Sequence, residues 1–255
     1  MCPVFRENML EPGGFSELVL LRERAVRLAA RKIPPGISDE AAIFLEPAAC
    51  VLRGILRSGL PAPDALKERT GCAVVLGAGS MGLLHVLVLR ALHPRVKVVA
   101  VDTVGERLRL AAQLGADPAE APMNDSVSSL VRDMTAGLGA DAVFDTVGGA
   151  SLLDTALGLT REGGTVVLFA HAAASERAGF ELNELFKHER RVVGTYSGAL
   201  REQEQIYELI LQGRLDASRL VTHRLPLSRF EEAVELTRTR KALKVLLVPE
   251  RGEKG

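Results

Sequence analysis

The sequence predicts an α/β protein built on a doubly wound parallel sheet, and two observations carry that expectation. From residue 73 onward, short Val-rich runs alternate with stretches whose apolar residues recur at helical spacing, as they do in βαβ units. Hydrophobic residues make up 47% of the 255 positions while aromatics make up only 4%. A core of Val, Leu and Ala, with 24 glycines, suits helices packed closely on a parallel sheet.

The elements follow in order. A helix is predicted over 48–59, and Leu60-Pro61-Ala62-Pro63 ends it, because proline lacks the N–H that a helix needs and clashes with the preceding turn. Residues 67–70 complete a surface connection. Strands are then expected at 73–76, 96–101, 142–145, 165–169 and 191–195, where β-branched residues cluster in short apolar runs. Helices are expected at 83–92, 104–114, 126–134, 152–159 and 183–186. Such a repeat winds right-handedly into an open sheet. Beyond residue 200 come two helical patterns, a Leu225-Pro226 turn and a last strand at Val245–Val248. Residues 1–45 hold turn formers and short apolar runs, so neither flank makes a core alone.

Lys plus Arg equals Asp plus Glu at 32 each, which provides no net field to attract nucleic acid or an anionic membrane. Small-molecule partners are expected. Cys2, Cys50 and Cys72 are an odd number without a pairing pattern, pointing to a reducing, cytoplasmic setting. Residues 1–14 lack the apolar stretch of a signal peptide, and no apolar run has bilayer length.

The informative motif is Gly77-Ala78-Gly79-Ser80-Met81-Gly82. It directly follows one predicted strand, directly precedes a predicted helix, and has Asp102 20 residues beyond Gly82 at the end of the next strand. Gly77 permits the tight turn, Gly79 lets backbone approach a pyrophosphate, and Gly82 lets the helix pack on the strand. The N–H groups of Ser80 and Met81, at the positive end of the helix dipole, are the expected phosphate donors. Asp102 is expected to accept the adenosine ribose hydroxyls and to repel the extra phosphate of NADP, so NAD is the expected cofactor. A bare βα turn without nucleotide is the alternative.

With those residues in place, the chain resembles the zinc-dependent medium-chain alcohol dehydrogenase family, in particular its polyol and threonine dehydrogenase branch. The resemblance runs through Pro12-Gly13-Gly14-Phe15-Ser16-Glu17, Glu46-Pro47-Ala48-Ala49-Cys50, the Gly77 turn, Asp102 with Arg107, Leu114-Gly115-Ala116-Asp117, Asp145-Thr146-Val147-Gly148-Gly149, and Leu220-Val221-Thr222-His223-Arg224-Leu225-Pro226-Leu227. It implies a Rossmann domain over 47–198, a remnant of a GroES-like catalytic domain over 1–46, and a return to that domain over 199–255. It further implies hydride transfer from an alcohol to NAD at a catalytic zinc, and a homodimer or homotetramer in which the strand at 191–195 extends the sheet into a second subunit.

By the same resemblance, Arg107 flanks the adenosine ribose and Lys244 lies near the pyrophosphate. Cys50, Thr146, Val147, Ala170 and Ser197 fall where the family lines the nicotinamide pocket. Glu46 stands where the polyol branch places a carboxylate beside zinc; on its own it reads as a helix N-terminal acid. Cys2 resembles the last structural-zinc cysteine. The family's catalytic cysteine, His-Glu pair and other structural cysteines have no counterpart here, so the chain reads as if it begins in mid-domain and a complete zinc site is not expected from it.

Among the histidines, His171 follows the strand at 165–169 on the ligand-binding end of the sheet and is the one candidate to approach a nicotinamide. His85 reads as a packed or surface helix residue, His93 as a loop residue before Pro94, His188 as part of a solvated cluster, and His223 as structural. Two further readings are a non-catalytic NAD-binding protein or partner subunit, and a zinc-free quinone reductase relative that prefers NADPH. Asp102, Cys2 and Glu46 speak against the last.

Overall fold

The computed structural model describes residues 13–60, 71–117 and 125–250. The chain divides into two compact units, one of Ile37–Ala217 and one that joins Met1–Gly36 to Ser218–Gly255.

The larger unit carries five parallel strands, β1 (Cys72–Leu76), β2 (Lys97–Val101), β3 (Ala140–Asp145), β4 (Thr160–Leu168) and β5 (Arg191–Gly194), in the spatial order β2-β1-β3-β4-β5. β1 and β3 are buried at every residue, as expected of strands covered on both faces. The chain runs from β1 outward to β2 and then returns to the other side of β1, which makes the C-terminal ends of β1 and β3 the point where the winding reverses. Ligands bind in that crevice in open α/β sheets.

Numbering helices in chain order, α1 is Glu23–Ala29 in the smaller unit. The larger unit contains α2 (Asp39–Ala42), α3 (Leu45–Arg57), α4 (Ser80–Leu92), α5 (Gly105–Gln113), α6 (Asp125–Met134), α7 (Ser151–Leu159), α8 (Leu182–Phe186) and α9 (Leu200–Leu211). α3 starts with Glu46 in its first turn and tolerates Pro47 there, where no intrahelical partner is lost. Its Ala48, Ala49, Val51, Leu52 and Ile55 are buried, and Gly54 lets it approach the sheet: a Cβ there would stand 3.5 Å from Thr195 Cγ2. On the opposite face, Leu153, Ala156 and Leu157 of α7 join Val74, Leu76, Val99, Val143 and Val166 in one apolar cluster. Each fully buried aliphatic side chain of this kind stabilises the fold by roughly 1.5–3 kcal/mol relative to exposure.

Two boundaries differ from the sequence reading. The compact units divide at 37 and 218 where the sequence reading has 47 and 199; at the second boundary α9 packs on α3, buries Ile206, Leu209 and Ile210, and so belongs with the sheet. β4 begins at Thr160, not 165. Its register slips between the Ala140/Thr160 and Ala142/Thr165 pairs, so Arg161-Glu162-Gly163-Gly164 is an irregular stretch inside the strand.

The smaller unit pairs β6 (His223–Pro226) with β7 (Val245–Val248) in parallel, with α10 (Phe230–Arg238) between them in sequence. The Phe15 and Phe230 rings meet at 5.1 Å. Among the described residues its buried apolar side chains are Leu220, Leu225, Ala233 and Ala242, while Phe15, Leu18 and Leu20 are 71%, 90% and 88% exposed. The connection expected at 67–70 and Cys2 lie outside the described residues. Among the described residues no helix is long and apolar enough to cross a membrane.

Candidate functional site

The crevice begins at the turn between β1 and α4. Gly77 has φ 92°, and a Cβ on it would stand 2.6 Å from Val147 Cγ2 and 2.8 Å from Thr146 Oγ1. A Cβ on Gly82 would stand 1.8 Å from the Gly77 carbonyl oxygen, so α4 packs on its own strand only because that position has no side chain. Gly79 is different. Nothing lies within 4 Å of where its Cβ would be, so the position opens on free space in front of the helix. Gly79 provides no side-chain cap to α4, and the first turn of α4 contains no acidic residue. The amides of Ser80 and Met81 therefore stand at an uncompensated positive helix end facing an open cradle.

Asp102 closes the other side. Its Oδ2 accepts the Ala78 N–H at 2.7 Å and its Oδ1 accepts the Val104 N–H at 2.8 Å. Arg107 Nη1 lies 3.6 Å from Oδ2. The acid is thereby tied to the turn, and each carboxylate oxygen keeps a second lone pair for a hydroxyl.

The remaining rim is continuous. The Thr146 hydroxyl donates to the Leu76 carbonyl at 2.8 Å and joins the ends of β3 and β1. Asp145 Oδ1 accepts the N–H groups of Val147 and Gly148 at 3.0 and 2.9 Å, shaping the next turn. A Cβ on Gly148 would stand 2.5 Å from the His171 carbonyl oxygen and 3.3 Å from Ala170 Cβ, so the loops after β3 and β4 touch through their backbones. His171 meets Tyr196 edge-on at 5.8 Å, bringing in the loop after β5. Ser197 follows with φ 61°, and a Cβ on Gly198 would stand 3.2 Å from the Cys50 nitrogen. Gly77, Gly79, Ser80, Met81, Gly82, Asp102, Arg107, Thr146, Val147, Ala170, Ser197 and Cys50 thus share one crevice edge. Lys244 belongs to the smaller unit, where its carbonyl accepts the Thr222 N–H at 3.0 Å.

Cys50 Sγ donates to Glu46 Oε1 at 3.1 Å, one helical turn apart. Burial, then the Glu46 carboxylate, pushes the Cys50 thiol up to about 12. Among the described residues no cluster of three or more His, Cys, Asp or Glu could hold a metal. Glu46 and Cys50 are two ligands where tetrahedral zinc needs four, so the described residues do not fit a zinc site.

Two contributors escaped the sequence reading. Glu176 accepts the Ala150 N–H at 2.6 Å and the Ala173 N–H at 3.2 Å, linking the loops after β3 and β4; those two hydrogen bonds hold its carboxyl below the usual range. No local pattern marks it. Tyr196, placed just after a predicted strand on the ligand side, was findable. His85 is fully buried, with Phe169 edge-on at 4.6 Å and Phe144 at 5.2 Å.

Residues 80–212, more than half of the chain, match the family described as zinc-binding dehydrogenase. The chain belongs to the zinc-binding dehydrogenase family. Within this family it is 27% identical to the sorbitol dehydrogenase of Halalkalibacterium halodurans, over 94% of this chain and 66% of that protein. The alcohol dehydrogenase of Thermus sp. ATN1 superposes with a TM-score of 0.75 at 31% identity, over 88% of this chain and 62% of that one. A zinc-binding dehydrogenase of Sinorhizobium meliloti, bound to NADP, superposes with a TM-score of 0.77 at 26% identity, over 93% and 66% of the two chains. The chain therefore spans a little under two thirds of the length of these family members.

Proposed function

We propose that this chain binds NAD along the crevice and serves as the cofactor half of an alcohol dehydrogenase acting on a polyol, an amino alcohol or another secondary alcohol. The observation that carries the reading is the open cradle at Gly79, with unpaired helix amides on one side and Asp102 tied to the turn on the other. In this reading the Ser80 and Met81 amides hold the pyrophosphate and Asp102 the adenosine ribose beside Arg107. The rim of Cys50, Thr146, Val147, Ala170 and Ser197 encloses the nicotinamide, and Lys244 is assigned to the pyrophosphate by family resemblance alone. The bound nicotinamide supplies the hydride acceptor. The protein's own part is alignment and exclusion of water.

The choice of NAD over NADP rests on the Asp102 carboxylate, which opposes a phosphate on the ribose. Calorimetric titration with both cofactors tests it: tighter binding of NAD supports the reading, and a marked preference for NADP overturns it. Association through the free edge of β5 into a homodimer or homotetramer, in a cytoplasmic setting, belongs to the same proposal; a monomer at all concentrations in sedimentation counts against the first of these.

A second reading is favoured by the Glu46–Cys50 pair, which stands without a third ligand among the described residues. On it, the chain binds NAD without catalysis, alone or as a partner subunit. Zinc content and NAD reduction with a panel of polyols, threonine and simple secondary alcohols separate the two: turnover favours the enzyme, and cofactor binding without turnover favours the binding protein.

A further inference from the structure

A cavity of about 570 Å³ lies away from the crevice, lined among others by Ser128, Arg132, Arg161, Glu162, His188 and Arg190. These residues precede or open β3, β4 and β5, so they stand at the N-terminal ends of strands whose C-terminal ends carry the Gly77 turn. The six residues of β3 put the two sites on the order of 20 Å apart.

Three arginines line it, and two of their guanidinium groups are held so as to leave donors over. Arg161 Nε donates to Asp141 Oδ1 at 2.7 Å and its Nη1 to the Glu162 carbonyl, while Asp141 Oδ2 accepts the Cys72 N–H at 2.9 Å. Nη2 of Arg161 remains. Arg190 Nη1 pairs with Glu184, yet its Nε is buried with no acceptor among the described residues. Enclosed by protein, that Nε does not reach the cavity, so the donor Arg190 offers there is its Nη2. Arg132 has no hydrogen-bond or ion-pair partner for its side chain among the described residues. The Glu162 carboxylate is engaged by His188 Nδ1 at 3.0 Å. The backbone keeps the space open. Ala136 and Glu189 flank it in the left-handed region at φ 52° and 50°, and no atom lies within 4 Å of where a Cβ would stand on Gly137 or Gly158.

We infer that this cavity is a second ligand site, for a phosphate monoester of a small polyhydroxylated molecule. Guanidinium edges match phosphate oxygens two at a time, and the donors left on Arg132, Arg161 and Arg190 suit a dianion. The volume exceeds what phosphate alone fills, and Ser128, Glu162 and His188 offer polar groups to hydroxyls of the ester body. The site shares no residue with the Gly77 turn.

The test is calorimetric titration of the whole chain with glycerol 3-phosphate and with inorganic phosphate. It compares the unaltered protein with R132Q, with R132Q/R190Q, and with G79D, which sets a carboxylate in the cradle of the turn. The expected result is binding retained in G79D, weakened about tenfold in R132Q/R190Q and about threefold in R132Q, with glycerol 3-phosphate the tighter probe. R132Q removes no side-chain hydrogen bond or ion pair among the described residues, so it reports even where the double variant fails to fold. Unchanged affinity in R132Q, loss of binding in G79D, or no heat from either probe in the unaltered protein overturns the inference.

Discussion

Asp102 and Ala78 are joined across the mouth of the crevice, the carboxylate Oδ2 accepting the backbone N–H at 2.7 Å. One side chain thus fixes the turn and lines the crevice. Asp102→Ala leaves the Ala78 and Val104 amides without their acceptor, and we expect NAD affinity to fall about 10- to 100-fold, with the NAD preference over NADP reduced. Titration with both cofactors measures it. Retained affinity and preference would remove Asp102 from the site.

Gly79 and Gly82 separate binding from stability. Gly79→Ala meets no atom within 4 Å at a φ of −73°, so melting should change little, while the added methyl intrudes on the cradle and weakens NAD binding. Gly82→Ala drives a methyl against the Gly77 carbonyl and should cost on the order of 2–4 kcal/mol of unfolding free energy. Denaturant melts with and without NAD compare the two; equal stability losses would show that the turn is not packed as described.

His85 makes the fold acid-sensitive. Its Nδ1–H donates to the Met81 carbonyl at 2.8 Å, and its Nε2 has no partner among the described residues, so protonation would bury an unpaired N–H. Burial lowers its pKa from 6.5 to about 4. The unfolded chain therefore takes up a proton first, and stability held above pH 6.5 is lost as pH falls toward 4. That loss should be on the order of 2 kcal/mol between pH 7 and pH 5. His85→Leu should flatten this part of the profile in urea titrations, and an unchanged slope would assign the acid sensitivity elsewhere.

Arg90 fastens α4 to the loop after α5. Its Nε and Nη1 donate to the Gly115 and Val96 carbonyls, both at 2.5 Å, and its Nη2 meets Asp117 Oδ2 at 2.6 Å. Asp117 in turn accepts the Val98 N–H at 2.7 Å. Arg90→Ala strands these acceptors and should lower stability by about 2–4 kcal/mol, with Arg90→Lys recovering only part, since an ammonium cannot span three acceptors. Thermal melts of both variants decide it.

Much of the fold was legible because β1 and β3, covered on both faces, must be apolar at every position, and because Gly77 and Gly82 answer purely local demands. Asp102 was legible for the same reason: strand lengths place it beside the turn. What stayed hidden depends on distant partners. The contact of α9 with α3 moved the unit boundary, and nothing near residue 200 announces it. Glu176 acts on an amide 26 residues earlier, and Arg90 on groups up to 27 residues later. The slip within β4 falls where Gly164 passes close to the Ala140 carbonyl, a cross-strand approach that the sequence of β4 alone does not reveal.

The two units also differ in how the chain supplies them. Ile37–Ala217 is continuous, whereas the other unit draws on two segments that lie on either side of it in sequence. On the ribosome, the five-stranded unit can therefore collapse around its own core as soon as it emerges, while the segment before Ile37 waits until translation passes Ser218. Synthesis order makes the sheet the early, self-sufficient event and leaves the smaller unit to close last.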